Sequence, residues 1–164
     1  MSAETITTAL FLITAVVASA VLINAVYPVI QTMTGTFSSS THESDVRIRT
    51  DFKIIATSAS QSSGTAQVWM KNIGSERISL SDIQRADVFC GAVGNFDHLS
   101  YTSSNPGWTA DFGPGYDLNT NSFWDPGETL KVTAKTSIPP AGNNVYFQFA
   151  LPNGIWRSNE FTAS

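Results

Sequence analysis

The chain has 164 residues, a net charge of −4 and only 13% charged residues, about half the usual share. That length holds one ordinary domain with an appendage, and the scattered basic residues make no nucleic-acid footprint. A single cysteine, Cys90, excludes an intramolecular disulfide and any multi-cysteine metal site.

The first element is a helix. No Asp, Glu, Lys or Arg stands between Glu4 and Glu43. Residues 6–30 read ITTALFLITAVVASAVLINAVYPVI, about 25 residues and roughly 37 Å of helix at about 1.5 Å per residue. A hydrocarbon core is about 30 Å thick, so this segment spans it with some tilt. No basic residue precedes it, the apolar part exceeds the roughly 7–15 residues of a secretory signal, and no cleavage pattern follows, so a retained helix is expected. Arg47, Arg49 and Lys53 beyond the helix favour a cytoplasmic head by charge count, whereas the low-charge composition favours an outside one. Charge alone leaves the orientation open.

Small and hydroxylated residues interrupt the apolar run. Thr14 with Ala18, and Ala15 with Ser19, are small pairs at i, i+4 that let helix backbones approach closely. Asn24 is costly in lipid unless its amide finds a partner across a helix interface. Pro28 marks a kink or a change of surroundings. Residues 31–41 (QTMTGTFSSST) form a stalk, a frayed helix extension or a linker. The expected organisation is therefore a helix and stalk over 1–41 and a β-sandwich over 42–164.

In the second part Val46, Ile48, Thr50, Phe52 and Ile54 alternate with Arg47, Arg49, Asp51 and Lys53, the period of a half-buried strand. Further strands are expected over 65–71, 78–80, 86–90, 129–136, 144–150 and 155–161. Turns fall at 61–64, at 72–74, where Asn and Gly suit positive φ, at 139–140 and at 152–154. Residues 95–121 read as loop-rich, with few elements expected there. Cys90 is expected as a small buried side chain on its strand, and most of the tryptophans as core. Seven or so short strands favour an antiparallel, immunoglobulin-like sandwich behind the helix, α+β overall.

One segment has ligand spacing. In residues 117–128 (DLNTNSFWDPGE), oxygen donors Asp117, Asn119, Asn121, the Phe123 carbonyl, Asp125 and Glu128 follow the order of a calcium loop. Ser122 stands where such loops use glycine, and no flanking helices are evident. Calcium and a self-satisfied Asn/Asp-rich loop are both open readings. His42 and His98 sit in no nucleophile motif, so a catalytic role is not expected.

The opening Ser2-Ala3-Glu4-Thr5-Ile6, the helix through Asn24-Ala25-Val26-Tyr27, and the stretch Arg49-Thr50-Asp51-Phe52-Lys53-Ile54-Ile55 together resemble the FlaG-type accessory proteins of the archaeal flagellum. The turns Lys71-Asn72-Ile73-Gly74 and Asp125-Pro126-Gly127-Glu128 resemble those of archaellin-like sandwiches. The resemblance implies a helix in the cytoplasmic membrane and an extracytoplasmic sandwich related to archaellins and type IV pilins. It also implies a stator role with a FlaF-type partner or the surface layer. Archaellins proper carry a short basic leader, and Met1 leads almost directly into the helix here, which favours the accessory protein. As a filament subunit the helices would instead form a core, with Glu4 offsetting the terminal amine of a neighbour. A membrane-tethered module reading a ligand with loops 95–121 is the third expectation.

Overall fold

A computed structural model of the chain describes residues 2–111, 116, 119 and 121–164. It divides into two compact units, Met1–Ser44 and Asp45–Ser164. The described residues of the first are all helical, as part of α1 (Ser2–Arg49). The stalk is therefore helix, not linker. Its hydroxyls return to the preceding turn, with Thr32 donating to the Pro28 carbonyl at 2.9 Å, Thr36 to Thr32 at 2.9 Å and Thr41 to Phe37 at 2.8 Å. Pro28 lies inside α1, and having no N–H it deprives the Asn24 carbonyl of its usual i+4 donor.

The strand expected from Val46 starts later. Residues 46–49 close α1, and β1 runs Phe52–Ser60. Alternation at two residues and a helical i, i+4 pair share Val46 and Thr50, and the helix wins. Thr50 donates its backbone N–H to the Val46 carbonyl at 3.0 Å and its hydroxyl to the same carbonyl at 2.7 Å. Arg47 and Arg49 occupy the last turn, where positive charge complements the helix dipole.

The remaining elements are β2 (Thr65–Asn72), β3 (Ile78–Ser79), α2 (Leu80–Gln84), β4 (Asp87–Ala92), β5 (Asn95–Leu99), β6 (Gly107–Asp111), β7 (Phe123–Trp124), β8 (Thr129–Lys135), β9 (Asn144–Ala150) and β10 (Trp156–Thr162). Two four-stranded sheets, ordered β1-β2-β8-β6 and β10-β9-β4-β5, accompany a short β3-β7 pair, and every pairing between strands is antiparallel. Alternate residues of both sheets meet in one core that includes Phe52, Val68, Met70, Trp108, Leu130, Phe147 and Phe149. Phe149 meets Phe52 and Trp108 edge-on, with centroids at 5.6 Å and 5.8 Å. Of the tryptophans, Trp108 and Trp124 are buried while Trp156 is exposed.

The turn after β2 works differently from the expectation. Gly74 does not adopt positive φ; it is a close approach. A Cβ there would lie 2.4 Å from the Arg49 carbonyl oxygen and 2.6 Å from the Asp51 nitrogen. The turn presses onto the end of α1, with the N–H groups of Ser75 and Glu76 donating to the Arg49 carbonyl at 2.9 and 3.2 Å. Asn72 holds it from beneath, fully buried. Its amide donates to the Glu76 and Trp124 carbonyls, both at 2.9 Å, and its Oδ1 accepts from the Gly74 N–H at 3.0 Å.

Candidate functional site

The loop before β7 converges on one carboxylate. Asn119 and Asn121 each donate a side-chain amide to Asp125 Oδ2 at 2.7 Å, and Arg77 Nε stands 3.9 Å from the other oxygen. These donors hold the Asp125 carboxyl below its usual value, the Asn119 bond contributing most, then Asn121. The Asn oxygens are used locally: Asn119 Oδ1 accepts from the Asn121 N–H at 3.2 Å and Asn121 Oδ1 from the Phe123 N–H at 2.8 Å. These are Asx turns, the self-satisfied geometry. Glu128 is buried, and its Oε2 accepts from the Asp125 N–H at 3.0 Å. Ser122 takes φ 63°, so serine adopts the left-handed conformation for which glycine is usual at that position. Phe123 lies in β7 with the Arg77 guanidinium 5.4 Å above its ring centre. Asp117, the first expected donor, lies outside the described residues. Among the described residues no group of three His, Cys, Asp or Glu side chains is arranged to hold a metal.

The helical candidates lie along α1, none of whose residues is buried. Thr14 donates its hydroxyl to the Leu10 and Phe11 carbonyls at 3.1 and 2.9 Å, and Ser19 donates to Ala15 at 2.8 Å. Internal bonding of this kind lets a hydroxyl enter an apolar environment without an orphan donor. Glu4 lies in the first turn, favourable toward the helix dipole. Ala18 and Asn24 are exposed, open to lipid or to other helices. By length and composition α1 is apolar enough to cross a membrane.

A model described as archaeal-type flagellin matches residues 2–161. The chain belongs to the archaeal-type flagellin family. An uncharacterised protein of Archaeoglobus fulgidus is 25% identical to this flagellin-family chain over 167 residues, covering 98% of each. Among solved structures, the archaellum periplasmic stator protein FlaG from Sulfolobus acidocaldarius is 26% identical with a TM-score of 0.55, covering 68% of this chain and 99% of that one. The FlaF and FlaG stator complex of the same organism gives 25% identity and a TM-score of 0.54, covering 67% and 87%. The archaeal flagellum of Methanospirillum hungatei strain JF1 gives a TM-score of 0.69 over 96% of this chain and 92% of that one, at 17% identity. That last likeness is one of fold: a long N-terminal helix followed by a sandwich. Within the loop-rich 95–121 segment, residues 95–99 and 107–111 form the edge strands β5 and β6. One cavity of about 350 Å³ in the head is lined by Val46, Thr50, Glu76, Arg77, Ile78, Asp82 and residues 151–153, and another of about 470 Å³ by Arg47 and residues 154–158; among the described residues neither draws on 95–121.

Proposed function

We propose that this archaeal-type flagellin is a structural component of the archaellum, a membrane-anchored stator or accessory protein. Its sandwich head stands outside the cytoplasmic membrane, self-associates, and meets a FlaF-type partner or the surface layer. The observation carrying this reading is the 26% identity to FlaG over 99% of that stator structure. The apolar surface of α1 supports the anchor, because a helix with no buried side needs lipid or other helices around it. Shearing cells and separating released filaments from membranes tests the reading. The chain is expected in the membrane fraction in few copies per machine, and its recovery as the main mass of sheared filaments overturns the stator role.

A second reading, a filament subunit, is favoured by the length of α1. The charge-free run from Thr5 to His42 amounts to on the order of 55 Å of helix, nearly twice the hydrocarbon thickness. Met33 and Phe37, past the spanning segment, are 69% and 79% exposed. An exposed Phe in a Ser/Thr-rich helix suits a core of packed helices better than water. The same shearing experiment separates the two readings.

We also propose Ca²⁺ as the ligand of the 117–128 loop. Support comes from the convergence of Asn119 and Asn121 on Asp125 and from the left-handed Ser122. Calcium prefers oxygen donors, so both amides would turn their Oδ1 toward the ion, joined by Asp117, the Phe123 carbonyl, Asp125 and Glu128. Full-length protein in detergent is expected to melt several degrees higher in saturating Ca²⁺ than in chelator, since ligand at about 100 times Kd adds about 2.7 kcal/mol. An unchanged melting temperature overturns the calcium site.

A further inference from the structure

The strand registers sort charge between the two outer faces of the sandwich. All four lysines of the chain, Lys53, Lys71, Lys131 and Lys135, lie on the outward side of the β1-β2-β8-β6 sheet. They alternate with buried Phe52, Met70, Leu130, Val132 and Ala134. Lys53 is paired directly with Lys71 across β1 and β2. Like charges opposite one another in a sheet are unfavourable, so the monomer keeps an electrostatic cost that an acidic partner would relieve. Among the described residues one acid, Asp111, shares this face, beside Lys131; Tyr116 also reaches it, accepting from Trp69 Nε1 at 3.1 Å, and Lys135 donates to the Ser103 carbonyl at 2.8 Å.

The opposite face has the reverse character. Outward positions of the β10-β9-β4-β5 sheet carry Asp87 and Glu160, with Phe89, Phe96, Tyr146 and Trp156, and no Lys or Arg; His98 also faces outward, its Nε2 2.9 Å from Asp87 Oδ1. Arg157 of β10 holds an inward register position but stays half-exposed, its guanidinium over the Phe52 ring and donating to Asp51. Three of the rings form a connected patch, Phe89 to Phe96 at 6.2 Å and Phe96 to Tyr146 at 4.8 Å. Phe96 and Trp156 remain 45% and 54% exposed. Exposed aromatics rimmed by polar groups mark a contact surface.

We propose that the heads associate front to back, the lysine face of one copy docking on the acidic, aromatic face of the next copy. This rests on the self-association in the function proposed above and adds the surfaces that make it. A contact between two different faces is heterologous, so it extends into rows rather than closing as a dimer. Four strands about 4.8 Å apart and about 20 Å long give a footprint near 400 Å² per face, small against the roughly 800 Å² of a standard partner surface. The contact is therefore weak in free solution and effective when α1 concentrates the heads on one membrane.

The test uses full-length protein in liposomes. One population carries Thr133→Cys on the lysine face and the other Ser158→Cys on the aromatic face. Both positions are outward-facing, and native Cys90 stays out of the reaction because it is buried. Mild oxidation is expected to give mixed disulfides at least fivefold above either like pair, falling severalfold in about 0.5 M salt, where exposed charges are screened. Adding Lys53→Glu and Lys71→Glu to the first population should abolish the excess. Adding Asp87→Lys and Glu160→Lys to the second should then restore it. Like pairs equal to or above mixed pairs, or loss without rescue, overturn the inference and leave the lysine face to another acidic partner. Ala15→Cys chains provide the separate readout. If they cross-link along α1 while the face pairs do not, self-association stands and the front-to-back arrangement falls; if neither cross-links, both fall.

Discussion

Gly74→Ala is expected to destabilise the head by about 2–3 kcal/mol, the upper part of the range for forcing an extra carbon into a packed site. The added Cβ would sit 2.4 Å from the Arg49 carbonyl oxygen and 2.6 Å from the Asp51 nitrogen. Both are backbone atoms, so no side chain can swing aside. The backbone itself must move, and with it the bonds from Ser75 and Glu76 that satisfy the last carbonyl of α1. Thermal unfolding followed by tryptophan fluorescence reads this directly, because Trp69, Trp108, Trp124 and Trp156 all belong to the head. A fall in melting temperature near 10 °C is expected for a unit of this size. Gly35→Ala is the control: a Cβ there meets nothing within 4 Å, and in a helix alanine is the better residue. A change below about 0.5 kcal/mol at Gly74 would show that the turn relaxes without strain.

Asn72→Ala is expected to cost about 3 kcal/mol by a different route. Removing the amide strips donors from the Glu76 and Trp124 carbonyls, and unpaired buried polar groups cost about 1–3 kcal/mol each. The Gly74 N–H also donates to the Asp51 carbonyl at 2.9 Å, so it keeps a partner and adds little to the loss. Asn72→Asp separates shape from hydrogen bonding. It keeps the acceptor but aims a carboxylate at two carbonyl oxygens, and at neutral pH it should be less stable than Asn72→Ala. Burial and those oxygens raise that carboxyl's folded pKa above its unfolded value. The folded chain then binds the extra proton, stability is lost as pH rises, and acidification should recover part of it. Equal stability of the two variants across pH would remove the donor argument. Asn72 and Gly74 touch, so the double variant should cost less than the sum.

Much of the fold was legible because its signals are local. Residues 65–72, 129–135 and 144–150 alternate strictly and are bounded by turn residues, and each forms a strand of nearly the expected length. The edge strands β5 and β6 were not legible. Asn95, Phe96, Asp97 and His98 all remain exposed in β5, because a strand with a neighbour on one side only need not show a buried stripe. Residues 46–49 failed for another reason: their pattern fits strand and helix equally, and the bond from Thr50 to Val46 decides. In the 117–128 loop, spacing identified residues that meet, since Asn119 and Asn121 do reach Asp125. Spacing could not say whether those groups bond to one another or to an ion.

By itself the amino-acid order determined a charge-free helix and an alternating β head. Hydrophobic periodicity and the absence of charge act over a few neighbouring residues and need no distant partner. Only the tertiary structure decided where α1 ends, why Gly74 must lack a side chain, and that four lysines scattered from Lys53 to Lys135 share one face. Each depends on strand register and on backbone approaching from elsewhere in the chain. Pairing β2 with both β1 and β8 is what turns isolated charges into a surface.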